Sequence, residues 1–344
     1  MAFKILSCDG GGIRGLITAM LIQDLDTKFG IVASANGFAG TSTGGLLALG
    51  LANGVPIGDI VNVYLNEGST VFTPNGWLLD DKHQERPLGA SMTDLASGPG
   101  FFSCQYVNSG LKQIAQQLLG SALISSAKKF VAVNSARLWD GSGWAPCTIS
   151  NGPGNTYRNI TMVDAALATS AAPTYFPPHH VAGAGYDFGY FADGGVFANN
   201  PSMTAVTELL YQKVVPNLAS IRMLSLGTGE CPQGIPPAAI GDPLNWGVTS
   251  WLYPWSSGPN SVIPSMALLN LTLDATAELA AIQAKQILGT ACERGNVGLS
   301  RAYPLDDWQH VNELVKATSN YMNTPAWQNV RNWVKQNWAQ META

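Results

Sequence analysis

Charge is scarce in this chain. Lys and Arg number 18 and Asp and Glu 23 among 344 residues, 12% in all, against about 25% in an ordinary soluble domain. There is no basic excess: a net charge of −5 leaves no cationic face for a phosphate polymer, which excludes nucleic acid as an expected partner. Cysteines are few and far apart. Cys8, Cys104, Cys147, Cys231 and Cys292 form no C-x-x-C pair and have no paired histidines, so neither a zinc site nor a disulfide framework is indicated, and no metal or organic cofactor is expected. The first residues lack a basic segment followed by an apolar run and a cleavage site, so the expected location is cytoplasmic, with peripheral membrane contact. Long apolar runs are missing too. The nineteen uncharged residues 37–55 contain six glycines, which suits a buried strand–turn–helix and not a membrane span.

Hydrophobic residues, by contrast, make up 46% of the chain, enough for a large core. Phe3–Cys8 is a short apolar run stopped by Asp9 and three glycines, hence a buried strand. Arg14–Phe29 carries apolar residues at helical spacing with Gly30 as its stop, and Phe38–Thr41 followed by Gly44–Asn53 repeats the strand–helix alternation. Further strands are expected at Lys129–Asn134, Thr148–Ile149, Tyr190–Asp193 and Ile221–Leu226. This order predicts a three-layer α/β/α fold with a mostly parallel central sheet. Residues 66–104, rich in Pro and Gly, read as a surface excursion or lid. Residues 231–262 are loop-like, and Met266–Ile287 and Leu305–Gln340 are helical in pattern.

Three strings carry chemistry. GTSTGG at 40–45 is a G-x-S-x-G turn with Ser42 between Gly40 and Gly44; placed between a strand and a helix, it would present the Ser42 hydroxyl for nucleophilic attack. CDGGGIRG at 8–15 puts Gly10, Gly11 and Gly12 at a helix start, with Arg14 and Gly15 after them. Their backbone N–H groups suit an anion or a developing oxyanion, and Arg14 is a candidate anion anchor. FADGGVFANNP at 191–201 holds Asp193 ahead of Gly194 and Gly195, a carboxylate that could orient or deprotonate the serine.

The three strings in this order resemble the patatin-like phospholipase family. ATSAAPTYFPP at 168–178 and LSLGTG at 224–229 extend the likeness, and QYVNSGLKQIAQQLLG at 105–120 adds a weaker match. The resemblance covers roughly residues 3–230, a catalytic core, with residues 231–344 as a C-terminal extension packed on it. It implies a lipid acyl hydrolase with a Ser42–Asp193 dyad and no histidine, acting on a membrane phospholipid or galactolipid. Bacterial members of the family include nucleotide-activated antiphage effectors.

Alternatives remain open at this stage. Gly10, Gly12 and Gly15 also satisfy the dinucleotide fingerprint G-x-G-x-x-G, but the second strand runs into Ser42 and not to the acidic residue a ribose needs. Ser42, Asp193 and His310 obey the chain order of a Ser–acid–His triad, although His310 lies in a helical pattern. A lipid-binding scaffold retaining the fold is a further class. Asp164 reads as a helix cap, and Asn199 and Asn200 as residues fixing the Asp193 turn. Trp246, Trp251 and Trp255 are either packed on the body or a membrane-touching loop.

Overall fold

A computed structural model describes residues 2–75, 103–231, 234–252 and 266–338. Its strands are β1 (Phe3–Cys8), β2 (Gly37–Thr41), β3 (Phe130–Arg137), β4 (Ala145–Ser150), β5 (His179–Gly183), β6 (Tyr186–Asp193), β7 (Ile221–Leu226) and β8 (Cys292–Gly295). Besides short turns of helix, the principal helices are α1 (Gly15–Phe29), α2 (Thr43–Asn53), α3 (Ile57–Asn66), α4 (Ser109–Leu119), α5 (Met162–Thr169), α6 (Ser202–Tyr211), α7 (Ala267–Leu288), α8 (Val311–Tyr321) and α9 (Pro325–Asn337). The strands form one sheet in the order β5-β6-β3-β2-β1-β7-β8, with β4 paired to β3. β3, β2, β1, β7 and β8 are mutually parallel, while β4 and β6 run antiparallel to β3.

Alternation along the strands divides the core into two layers. Leu6, Cys8, Phe38, Val131, Val133, Leu224 and Leu226 point to the side covered by α1, α2, α5, α8 and α9. Ile5, Ala39, Phe130, Ala132, Ile221 and Met223 point to the side covered by α6 and α7. A sheet apolar on both faces needs helices on both, and this is the three-layer α/β/α arrangement.

The chain beyond residue 230 enters this core. β8 extends the sheet at β7, pairing Met223 with Cys292 through Leu226 with Gly295. Trp327 of α9 is fully buried, its indole N–H donating to Asp24 of α1 at 2.8 Å, and Arg331 reaches the same carboxylate from Nε and Nη2 at 3.0 and 2.8 Å. Removing so deeply buried a ring costs about 3–5 kcal/mol, so α9 is held by packing as well as charge. Thr324 caps α9, its hydroxyl accepting from Trp327 N, with Pro325 in the first turn.

One detail of the sheet positions the site. β4 occupies one edge of β3 over Ala132–Arg137. β2 pairs with β3 from Gly37↔Phe130 to Thr41↔Asn134, and β6 pairs with it from Ser135↔Asp193 to Arg137↔Phe191. β2 and β6 therefore share the other edge of β3 and meet end to end, so the residue after Thr41 faces the last residue of β6.

Candidate active site

Ser42 sits in that gap. It is the turn between β2 and α2, with φ 55° and ψ −124°, a positive φ that a residue with a Cβ adopts at a cost of about 1–3 kcal/mol. Its surroundings hold it there. Ser42 N donates to Thr169 Oγ1 at 2.9 Å, and Thr169 Oγ1 donates to Asn134 O at 2.5 Å. Ser42 O accepts from Gly45 N at 2.8 Å and Leu46 N at 3.1 Å. The flanking glycines are there for close approach: a Cβ on Gly40 would stand 2.0 Å from Gly44 O, and one on Gly44 would stand 2.0 Å from Cys8 O.

Asp193 ends β6, buried, and its carboxylate accepts from Gly195 N at 2.7 Å and hydrogen-bonds the Ser42 side chain. Burial is the main influence and pushes Asp193 up to about 7; the bonds from Ser42 and Gly195 N pull the other way without cancelling it. A free aspartate, near 3.9, is a poor base at neutral pH. Burial thus gives this one a basicity matched to neutral pH.

The glycine loop after β1 is anchored at both ends. Gly10 N donates to Asn199 O at 2.9 Å, Gly10 O accepts from Thr228 Oγ1 at 2.8 Å, and Ile13 N donates to Leu305 O at 2.7 Å. The Gly10 amide is therefore occupied by the loop's own structure. Gly11 N–H and Gly12 N–H have no hydrogen-bond partner among the described residues, and neither has Thr43 N–H. Gly12 has φ +58°, and a Cβ there would lie 2.1 Å from Leu305 O. Beneath the loop, Asp9 is not a free cap: Arg294 of β8 grips its carboxylate from Nη2 at 2.6 Å and Nη1 at 3.3 Å.

Two cavities meet at Ser42. The larger, about 810 Å³ including its open mouth, is apolar, walled by residues such as Leu46, Ile60, Phe72, Leu111, Ile114 and Phe176. The smaller, about 290 Å³, holds Gly11, Asp193 and Asn199 beside Leu269, Leu273 and Leu305. Arg14 has no ion-pair partner among the described residues; its Nε donates to Gly11 O at 3.4 Å, and burial holds it below its ordinary pKa despite the opposing charge of Asp274.

The other sequence candidates fall away from this centre. His310 lies at the start of α8, half-exposed, bonded to Asp307, and borders neither cavity. Asp164 is not itself the cap of its helix: Thr161 is, its hydroxyl accepting from Asp164 N at 2.9 Å and donating to Asp164 Oδ2 at 2.7 Å, while Asp164 sits in the first turn with its other oxygen on His179 Nε2 at 3.0 Å. Trp246 and Trp251 pack edge to face, centroids 5.0 Å apart, and Trp246 Nε1 donates to Ile240 O at 2.7 Å; Trp255 lies outside the described residues. So does most of the expected lid, although its leading flank, Gly68, Val71 and Phe72, lines the larger cavity. The sequence pattern did not single out Thr169, Asn134 or Leu305. The first lies in the ATSAAP string; the other two reach the site through backbone carbonyls, which leave no mark on residue type.

Residues 6–206 match the family described as Patatin-like phospholipase. The chain belongs to the patatin-like phospholipase family. It is therefore placed among lipid acyl hydrolases. A protein named cGAMP-activated phospholipase from Vibrio cholerae is 30% identical over 77% of this chain and 73% of its own length. One of the same name from Pseudomonas aeruginosa is 31% identical over 66% of this chain and 62% of its own. A Solanum tuberosum protein named Probable inactive patatin-3-Kuras 1 is 29% identical over 83% of this chain and 80% of its own. In this patatin-like chain, no described helix is long and apolar enough to cross a membrane.

Proposed function

We propose that the chain is a serine hydrolase releasing fatty acids from membrane glycerolipids, with Ser42 as nucleophile and Asp193 as its base. The observation that carries this reading is the hydrogen bond between Ser42 and a buried Asp193 of raised pKa, where an apolar cavity meets a smaller one into which Asp193 and Asn199 open. Ser42 Oγ bonds to the ester carbon while its proton passes to Asp193, and the carbonyl oxygen becomes an oxyanion facing Gly11 N–H and Gly12 N–H. Collapse breaks the ester C–O bond, and the leaving alkoxide takes the proton from Asp193. Water then attacks the acyl-Ser42 carbonyl, gives a proton to Asp193, and the acid leaves as Ser42 recovers its hydrogen. The apolar cavity, walled by aliphatic and aromatic side chains on the Ser42 side, takes the acyl chain.

Vesicles mixed from phospholipid and galactolipid test this directly, with mass spectrometry of released fatty acid. The base must be ionised to act, so kcat/KM is expected to rise with pH through about 7 and to flatten above it. Release that does not change across this range would remove Asp193 from the role of base. The names of the Vibrio and Pseudomonas relatives supply an additional reading, activation by cGAMP; parallel assays with and without that nucleotide decide it, equal rates counting against it.

Arg14 bears on the head group. Its guanidinium lies beside Gly11 and makes no ion pair among the described residues, the Asp274 carboxylate acting on it only from a distance, which suits a lipid phosphate. Arg14→Gln is expected to lower kcat/KM roughly tenfold on phospholipid and little on galactolipid, the size of one charge-assisted hydrogen bond. An equal loss on both substrates would mean that Arg14 supports the glycine loop instead.

A further inference from the structure

β3 does not stop at the catalytic gap. It runs three residues past Asn134 to Arg137, about 10 Å at roughly 3.3 Å per residue, then turns into β4 through residues 138–144. Trp139 and Trp144 flank the tip of this hairpin, 62% and 83% exposed. The turn between them is fixed: Asp140 N donates to Gly143 O at 3.1 Å, and Asp140 Oδ1 accepts from Ser142 N, Ser142 Oγ and Gly143 N at 2.8, 2.7 and 3.0 Å. Beside it on β6, Tyr190 O accepts from Leu138 N at 2.8 Å, and the Tyr190 ring, 53% exposed, stacks on His180. The parallel strands β1, β2 and β3 all end toward this side, so the aromatic tip projects beyond the same sheet edge that carries Ser42 and the glycine loop.

We infer that the β3–β4 hairpin is a lipid-surface anchor, inserting Trp139 and Trp144 into the interfacial layer of a bilayer and turning the catalytic edge toward it. This rests on the hydrolase reading for its purpose, though not for its geometry. Tryptophan has an apolar body and a polar N–H, the chemistry of the membrane–water boundary. A rigid turn presents the rings with little ordering cost. The rings are too small a patch for a stable second copy: fully covered, the exposed parts of Trp139, Trp144 and Tyr190 would bury about 500 Å² at most, short of about 800 Å² per partner in a stable interface. The charged groups near the tip are Asp140 and Asp187, with His180 paired to Asp187 and Arg137 turned over the Phe188 ring. No cationic excess is present to draw anionic lipid, so the anchor works by insertion.

The test uses the full chain with phosphatidylcholine vesicles. Trp139→Ser with Trp144→Ser is expected to lower vesicle partitioning, measured by sedimentation, at least tenfold, and vesicle hydrolysis with it, while hydrolysis of a short soluble ester is unchanged. Added salt is expected to change the parent's partitioning by less than twofold. Unchanged partitioning of the double variant overturns the inference. If that variant also loses soluble-ester activity, its fold is disturbed, and the parent then decides: brominated phosphatidylcholine must quench its tryptophan emission, and no quenching on bound vesicles overturns the anchor. A parent dimer that the double variant separates, seen by gel filtration, assigns the tip to a second copy and overturns it equally. A parent that binds vesicles through the tip yet hydrolyses no ester keeps the anchor and sinks the hydrolase reading alone.

Discussion

Ser42→Ala is expected to lose ester hydrolysis by on the order of 10⁴-fold or more, because it deletes the atom that bonds to the acyl carbon and leaves the rest of the gap intact. A fluorophosphonate probe should label the parent and leave the variant unlabelled; equal labelling would remove Ser42 from the mechanism. Stability gives a second reading of the same position. The φ of 55° is a strain that a Cβ creates and glycine relieves. Ser42→Gly should therefore be equally inactive but more stable than the alanine variant, by about 1 kcal/mol. Nucleophile placement and backbone strain are then separable by comparing two inactive proteins.

Asp193→Asn is expected to remove nearly all turnover, by 10³-fold or more, while His310→Asn stays within a few fold of the parent. The contrast follows from place: Asp193 bonds Ser42, and His310 is bonded to Asp307 at the start of α8. A 10³-fold loss in the histidine variant would reinstate a triad. The aspartate variant also carries a stability signature of definite sign. The folded protein holds Asp193 near 7 and the unfolded chain near 3.8, so between those values the folded state binds more protons. Its contribution is complete below about 4 and is lost as pH rises through about 7. At pH 8 the parent buries a carboxylate that asparagine would replace with a neutral group. Asp193→Asn is thus expected to gain stability there, by up to about 4 kcal/mol from a shift of about three pH units, and to lose part of the parent's decline between pH 4 and 7. Denaturant melts at pH 4 and pH 8 measure it; a variant less stable at pH 8 would mean that the carboxylate is not the strained species.

Much of this was legible before any coordinates. The strand Phe3–Cys8 and the alternation around Gly40–Asn53 announce themselves because apolar residues in a strand or helix repeat with fixed periods, and Gly30 and Gly54 mark the ends by adopting φ values of 60° and 89°. Ser42 and Asp193 were readable because a G-x-S-x-G turn and a D-G-G turn constrain residue type at each position. β5 and β8 were not. His179–Gly183 carries two histidines and a glycine, and Cys292–Gly295 is only four residues with two charges; neither has an alternation long enough to stand out. The meeting of β2 and β6 on one edge of β3 is a matter of register, which no local pattern encodes. The Gly10 amide shows the same limit, since its use by Asn199 O depends on a residue 189 positions away.

The grip of Arg294 on Asp9 and of Leu305 O on Ile13 N has a consequence for anyone dissecting the chain. The stretch matching the family, residues 6–206, contains Ser42, Asp193 and the glycine loop, every residue to which the proposed reaction gives a role. Cut free, it would leave a buried carboxylate without its counter-ion, a loss on the order of 3–5 kcal/mol, and an amide at the loop's exit with nothing to receive it, about 1–3 kcal/mol more. Total stabilities of domains run to about 5–15 kcal/mol, so such a fragment would begin life close to unfolding. During synthesis the two ends of the loop are completed at different times: Gly10 finds Asn199 and Thr228 first, while Asp9 and Ile13 wait for Arg294 and Leu305.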